Sequence, residues 1–549
     1  MRLCGGPKQR ENARMDSGQE FDFVIVGAGS AGCVLANRLS ADPRHRVLLL
    51  EAGPEDRNPW IHIPVGYFRT MYSKLSWGFQ TEPDPGLNGR SITWPRGKVL
   101  GGSSSINGLV YIRGQAEDFD HWRQLGNPGW SFADVLPYFR RAEDQERGAD
   151  DFHGAGGPLG VSNLRLNHPI CEAFIAAAAA AGIPRNPDFN GAKQEGAGYF
   201  QLTVRRGWRS STANAYLRPV RRRPNLAVET GALATRILFE ARRATGVAFL
   251  AGGAERRVRA RREVILCGGA INSPHLLQLS GVGPGDVLAR QGIPVLLDMP
   301  GVGACLQDHF QVRFVYRCPQ PITFNDLARS PLGKLAVAWE WLTRSAGPMT
   351  IGAGQVGVFC RTRPELATPD IQFHMFPVSM DKPGGDFHPY PGFTSSVCQL
   401  RPESRGWIRL KSPDPRVHPA ILANYLSTPG DQQTIVDGMK VARRIAAQAP
   451  LAPFIAEETI PGPAHATEEE LLAIARRNGT TIFHPTSTCR MGPPGDLQAV
   501  VDPALRVRGI DGLRVADASV MPTVVSGNTN AACIMIGEKA SDLVLEAAR

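Results

Sequence analysis

The hydrophobic pattern near the N-terminus is compact and periodic. Phe23-Val24-Ile25-Val26 is an unbroken apolar run, the length of a strand buried on both faces. Gly27-Ala28-Gly29-Ser30-Ala31-Gly32 follows at once. Residues 33–39 have helical texture and stop before Asp42-Pro43. Val47-Leu48-Leu49-Leu50 is a second apolar run, closed by Glu51. Strand, glycine turn, helix and strand in this order predict the βαβ unit of a dinucleotide site. Residues 53–100 are rich in Pro, Gly and aromatics and predict loops. Apolar residues alternate around 226–250 and 257–267, which predicts hairpins or an antiparallel layer. Residues 313–470 change texture, with a strand expected over 371–376 and a helix over 430–448. From 479 onward short apolar strands return, followed by a final helix. The Ala-rich stretch 171–183 is too short to cross a bilayer and predicts a packed helix.

Composition narrows the classes. At 549 residues the chain exceeds one compact core, so two domains are expected, built from discontinuous segments. The net charge is +10, from 61 Lys and Arg against 51 acids, and the positive charges are scattered apart from Arg221, Arg222 and Arg223. This reads as a solvated basic surface; no nucleic-acid partner is expected. Peripheral contact with the inner face of the cytoplasmic membrane stays open. The ten cysteines form no Cys-x-x-Cys pair, which argues against a zinc or thioredoxin-type site. No metal is expected, and the thiols are expected reduced, in the cytoplasm. The N-terminus lacks an apolar signal core. Residues 1–20 read as a disordered tail, with Met15 an alternative start and the first fourteen residues without function.

Each glycine of the turn has its own reason. Gly27 permits the tight turn, Gly29 lets the backbone approach a pyrophosphate, and Gly32 lets the helix pack against the strand. The helix N-terminus turns free N–H groups toward the phosphates. Glu51, nineteen residues after Gly32, stands where a carboxylate accepts from adenosine ribose hydroxyls. It would repel a 2′-phosphate, which argues against NADP. FAD and NAD share this adenosine half.

Three longer segments separate them. Arg96-Gly97-Lys98-Val99-Leu100-Gly101-Gly102-Ser103-Ser104-Ser105-Ile106-Asn107 resembles the first signature of the glucose–methanol–choline (GMC) oxidoreductases. Gly269-Ala270-Ile271-Asn272-Ser273-Pro274-His275-Leu276-Leu277-Gln278-Leu279-Ser280-Gly281-Val282-Gly283 resembles the second. Gly512-Leu513-Arg514-Val515-Ala516-Asp517-Ala518-Ser519-Val520-Met521-Pro522 resembles the closing flavin-binding segment. The resemblance runs from about Phe21 to the end. It implies an α/β (α+β) fold: a Rossmann-like FAD-binding domain over 21–160, 210–312 and 479–549. A discontinuous substrate-binding domain on an antiparallel or mixed sheet is implied over 161–209 and 313–478. The FAD site is implied to include Gly27, Gly29, Ser30, Ala31, Gly32, Glu51, Ala52, Gly101, Gly102, Ser103, Asn107 and Ala234. Asp517 and Ala518, by the pyrophosphate and ribityl chain, and Asn528 and Thr529 complete it. Some members tether FAD through a histidine just before the asparagine of the first signature. Ile106 stands there and has no nucleophilic atom, so the FAD is expected to be non-covalent.

The catalytic expectation falls on His484, in Phe483-His484-Pro485-Thr486-Ser487-Thr488-Cys489-Arg490-Met491-Gly492. Oxidising an alcohol needs a base for the hydroxyl proton while the hydride leaves for flavin N5, and a histidine titrates near neutrality. The resemblance places Asn528 on the same oxygen, where its amide can donate to a developing alkoxide. The family's Val-Gly-x-Asn-Leu-Gln-Asp-His stretch departs here at Cys305, and His309 at its end is expected to be structural or supporting. These features resemble the branch of acceptor-dependent bacterial alcohol dehydrogenases, near the choline dehydrogenases. They imply oxidation of a primary alcohol to the aldehyde, with electrons passed to a quinone-like acceptor. Choline oxidation, an oxygen-using alcohol oxidase and a flavin-containing hydroxynitrile lyase are the alternatives. Choline would require an aromatic cage, for which Trp60, Trp77 and Phe79 are available.

Overall fold

The computed structural model describes residues 19–381 and 384–549. Residues 1–18 of the expected tail, Met15 and Cys4 among them, lie outside the described residues. Glu20, expected in that tail, already pairs in the first strand.

The chain opens with β1 (Glu20–Val26), α1 (Ser30–Leu39) and β2 (Val47–Glu51). After α2 (Pro169–Ala180) and β3 (Gly196–Tyr199) it runs through β4 (Leu226–Thr230), β5 (Leu233–Glu240), β6 (Arg243–Ala251) and β7 (Ala254–Leu266) into α3 (Gly269–Leu279). A second stretch holds β8 (Phe310–Arg317), α4 (Pro331–Arg344), β9 (Val356–Cys360), β10 (Ile371–Phe376), β11 (Gly392–Gln399), α5 (Pro429–Ala446) and β12 (Glu457–Ile460). The two-residue β13 (Thr480–Thr481), β14 (Leu513–Val515) and α6 (Asn530–Ala547) close the chain.

The first sheet has the order β4-β2-β1-β7-β6-β5, with β14 beside β7. Its apolar runs are buried on both faces, as helix-covered parallel strands require. The expected antiparallel layer over 226–267 is half of what forms. β5, β6 and the start of β7 make an antiparallel meander, but β4 pairs parallel to β2 and the end of β7 pairs parallel to β1 and β14. Alternation reports which faces a strand buries, not the direction of its neighbour. α1 is buried along most of its length because α6 crosses it: a Cβ on Gly537 would stand 2.9 Å from Ala31 Cα.

The second sheet is antiparallel, ordered β12-β8-β11-β10-β9-β3, with β13 on β8. Phe310, Val312 and Phe314 of β8 and Ile371, Phe373 and Met375 of β10 share a buried cluster with Phe174 of α2 and Met439 of α5. The alternate positions of both strands therefore face away from that core. β8 starts at Phe310, and β13 joins the sheet at Thr480, a few residues outside the edges expected at 313 and 478.

Candidate active site

One long cavity runs from the glycine turn to the open face of the second sheet. Of the expected cofactor residues, Gly27, Gly29, Ser30, Ala31, Glu51, Ala52, Gly102, Ser103, Asn107, Ala234, Asp517, Ala518, Asn528 and Thr529 line it, together with His484. Gly32 and Gly101 act behind the wall. A Cβ on Gly32 would stand 1.9 Å from the Gly27 carbonyl oxygen, and one on Gly101 2.2 Å from Ser105 Oγ. Gly27 takes φ +103, where a side chain would also meet the Cys267 carbonyl at 2.5 Å. Gly29 differs: its nearest obstacle would be 3.9 Å away, so it leaves open space over the turn. No side chain caps α1, and Ser30 and Ala31 of its first turn line the cavity. This is the chemistry a pyrophosphate needs: uncapped N–H groups at a helix N-terminus and no side chain in the way.

The Glu51 carboxylate accepts from Ala28 N (3.0 Å) and Gly53 N (2.8 Å). Burial pushes its pKa up to about 7, against the pull of those N–H groups and of Lys98. Two bonds leave acceptor capacity for hydroxyl donors from the cavity. Asp517 has less to offer a ligand directly. Its oxygens accept from Gly269 N, Ser273 Oγ, Ser519 N and Ser519 Oγ at 2.6–2.8 Å, which fastens α3 to the closing segment. Asn107 Oδ1 accepts from Arg209 Nη1 at 2.7 Å.

The His484 loop is held from three sides. Phe483 sits at φ +69, a costly conformation for a bulky side chain. Its N–H donates to Thr481 Oγ1 (2.6 Å), Arg96 donates to its carbonyl (2.6 Å), and His484 N donates to the buried Asp308 (2.7 Å). Arg96, in the first signature, thus grips the His484 loop 387 residues away.

Hydrogen bonds fix the tautomer of His484. His309 Nε2 lies 2.9 Å from the Leu400 carbonyl, which can only accept, so Nε2 carries the proton. Burial pushes the His309 pKa down to about 4, so the ring is neutral and its Nδ1 accepts. His484 Nδ1–H then donates to it across 2.9 Å. This leaves a lone pair on His484 Nε2, 3.2 Å from Asn528 Nδ2. Asn528 Oδ1 in turn accepts from Gln372 Nε2 at 3.2 Å, which turns the amide nitrogen toward the histidine. Burial foremost, then His309, His374 and Arg96, hold the His484 pKa well below its ordinary value. The ring is a neutral base.

Sequence reasoning passed over Gln311, Arg313 and His374, which line the cavity from β8 and β10. Their signal was present: once His309 faces His484, alternation puts Gln311 and Arg313 on the same face. The aromatic residues counted for a cation cage are otherwise engaged. Arg69 lies 4.3 Å from the Trp60 ring, and Lys98 Nζ 4.5 Å from the Trp77 ring, which stacks on Phe79. Cys305 takes φ +58, a conformation asparagine tolerates better, which accounts for the polar residue the motif usually carries.

Comparison with known proteins agrees with this geometry. Family models described as GMC oxidoreductase match residues 21–311 and 402–537. The chain is 47% identical to the mitochondrial choline dehydrogenase of Mus musculus, over 96% of this chain and 89% of that one. It is 44% identical to an alcohol dehydrogenase [acceptor] of Pseudomonas putida, over 96% of each. Among solved structures, pyridoxine 4-oxidase from Mesorbium loti superposes with a TM-score of 0.86 at 32% identity, covering 95% of this chain and 98% of that one. The formate oxidase of Aspergillus oryzae RIB40, a protein studied for its FAD modification, gives 0.91 at 28% identity, covering 97% and 99%. With the glycine cradle, the gripped histidine and both family segments in place, the chain belongs to the GMC oxidoreductases.

Proposed function

We propose that this FAD-dependent oxidoreductase, acting on CH–OH donors, oxidises a primary alcohol to the aldehyde and passes the electrons to a quinone-like acceptor. The observation that carries the reading is the lone pair on His484 Nε2, aimed at Asn528 inside the cavity that the glycine turn opens. His484 Nε2 takes the hydroxyl proton. Asn528 holds the oxygen as negative charge grows on it, and the His309–Leu400 chain keeps the proton of His484 on Nδ1. Bound FAD supplies the hydride acceptor. Gly27, Gly29 and the first turn of α1 would hold its pyrophosphate, and Glu51 its ribose.

Ile106 supports non-covalent attachment, since it offers no nucleophile in the cavity wall. Acid precipitation should then release all the flavin, and flavin left in the pellet would refute it. For the reaction, anaerobic holoenzyme should bleach with a primary alcohol. Reoxidation should be faster with a quinone or phenazine dye than with oxygen. Rapid peroxide formation in air would mark an oxidase; no bleaching with any alcohol would favour the lyase.

The relatives named choline dehydrogenases make choline a second reading. The cations already on Trp60 and Trp77 favour an uncharged or anionic alcohol over a quaternary ammonium.

We place the protein in the cytoplasm, held at the inner face of the membrane where a lipid quinone is reachable. The described cysteines stand as free thiols. No described helix is long and apolar enough to cross a membrane. On α4, however, Leu332, Leu335, Trp339 and Leu342 are each two-thirds exposed or more. Their spacing puts them on one face. Lys334 and Arg344 on the helix, and Arg329 just before it, are exposed as well. An apolar stripe flanked by cations matches an anionic lipid surface. Trp341 anchors the helix against Trp208, with ring centroids 4.6 Å apart. The helix packs on the turn Pro348–Thr350, which packs on Pro64–Gly66, next to the cavity-lining Tyr67 and Phe68.

A further inference from the structure

β8 carries Gln311 and Arg313 on its cavity face, in line with His309 just before the strand, while Phe310, Val312 and Phe314 fill the core behind it. Gln311 pairs across the sheet with Cys398, which pairs with Gln372, the partner of Asn528. Arg313 stands one row farther on, opposite Ser396 and then His374.

Arg313 is only 8% exposed. Its Nη1 has no hydrogen-bond partner, and its Nη2 reaches Thr394 Oγ1 at a long 3.4 Å. Among the described residues no carboxylate pairs with it. The ionisable groups that face it are Tyr67, Asp381 and Tyr72, and Asp381 is an exposed side chain already bound to His388. Of the other buried arginines, Arg96 lines the cavity and Arg209 does not; both make hydrogen bonds within the protein, although Arg209 Nη2 has no partner. Arg96 donates to the carbonyls of Pro95 and Phe483, and Arg209 to those of Ile61 and Ser104 and to Asn107. A buried guanidinium without an anion is a costly thing to keep. It becomes favourable when a ligand supplies the charge, and a planar fork of donors suits a carboxylate.

We propose that Arg313 docks a carboxylate of the substrate, so that the alcohol oxidised at His484 is an ω-hydroxy acid. The inference rests on the alcohol-oxidation reading above. Four residues of strand, about 13 Å, separate His309 from Arg313, which leaves room for several methylenes between the two ends. Phe68, Met71, Phe376 and Met380 line the cavity and give those methylenes apolar surface. In the reaction the hydroxyl proton goes to His484 Nε2. The carbinol C–H leaves as hydride, with its electron pair, to FAD, and the product is the aldehyde acid.

The test compares hydroxyhexanoate with hexanol on the holoenzyme, using a phenazine dye as acceptor. Wild type should prefer the acid in kcat/KM. Arg313→Met should cut that preference on the order of 10–100-fold, the weight of a lost charge-assisted contact. Arg313→Lys, which keeps the charge, should retain part of it. A second readout does not need turnover. Hexanoate should perturb the oxidised flavin spectrum of wild type at far lower concentration than that of Arg313→Met. Hexanol oxidised as well as the acid, with hexanoate binding alike to both proteins, overturns the Arg313 assignment and leaves alcohol oxidation standing. Hexanoate binding that depends on Arg313, without reduction by any alcohol, upholds the anion site and sinks the alcohol reading instead. A hydroxyalkyl phosphate or sulfonate that outruns the carboxylate overturns the ω-hydroxy acid.

Discussion

At the scale of single residues, the site is a chain of directed hydrogen bonds, and its direction matters more than its membership. Leu400, His309, His484, Asn528 and Gln372 each leave one role open for the next. A positioned base contributes about 10²–10⁴-fold to rate. Single-turnover flavin reduction in His484→Ala should fall by that factor with flavin content intact, because the cradle lies elsewhere. Asn528→Ala should cost less, on the order of 10–10³-fold, the value of one donor to a growing oxyanion. A His484→Ala enzyme that reduces its flavin at the wild-type rate removes the histidine from the mechanism. The depressed pKa of His484 sets the pH profile. The base is competent above its pKa and is lost as pH falls through it, so the acid limb of kcat/KM should lie below 6.5. A limb above 6.5 would contradict the burial that depresses it. The sequence named His484 and Asn528 because both sit in long motifs. Alternation could have put Arg313 on the cavity face, but its unpartnered guanidinium shows only in three dimensions.

At the scale of elements, the βαβ unit was legible because both strands and the turn are consecutive. The direction of β4 was not, since its neighbour β2 lies about 180 residues earlier and alternation is blind to orientation. The glycine turn offers a sharp test of what each residue does. Gly32→Ala should disrupt the packing of helix on strand, since its Cβ would collide with backbone at 1.9 Å. Gly29→Ala meets nothing closer than 3.9 Å, so it should fold, melt near wild type once stripped of flavin, and bind FAD more weakly. Thermal melts of the apoproteins, read beside flavin content, separate the two effects. Equal loss of folding in both variants would mean that Gly29 is structural.

At the scale of the whole molecule, the proposed membrane contact rests on the apolar stripe of α4. Trp339→Asp with Leu335→Asp should abolish co-sedimentation with anionic vesicles while flavin reduction by alcohol stays at the wild-type rate. Retained vesicle binding would leave the stripe without this role. The cavity could not be read from the sequence, because its walls come from segments hundreds of residues apart. The first sheet makes that separation consequential. β14 pairs with β7, α6 crosses α1, Ser30 Oγ donates to Asn530 Oδ1 at 2.7 Å, and Arg38 meets the buried Glu538 at 2.7 Å. During synthesis the phosphate turn therefore emerges more than 470 residues before the helix that braces it. The glycine turn, formed by the first residues of the sheet, is thus a half-built pocket until strand and helix from beyond residue 512 have joined it.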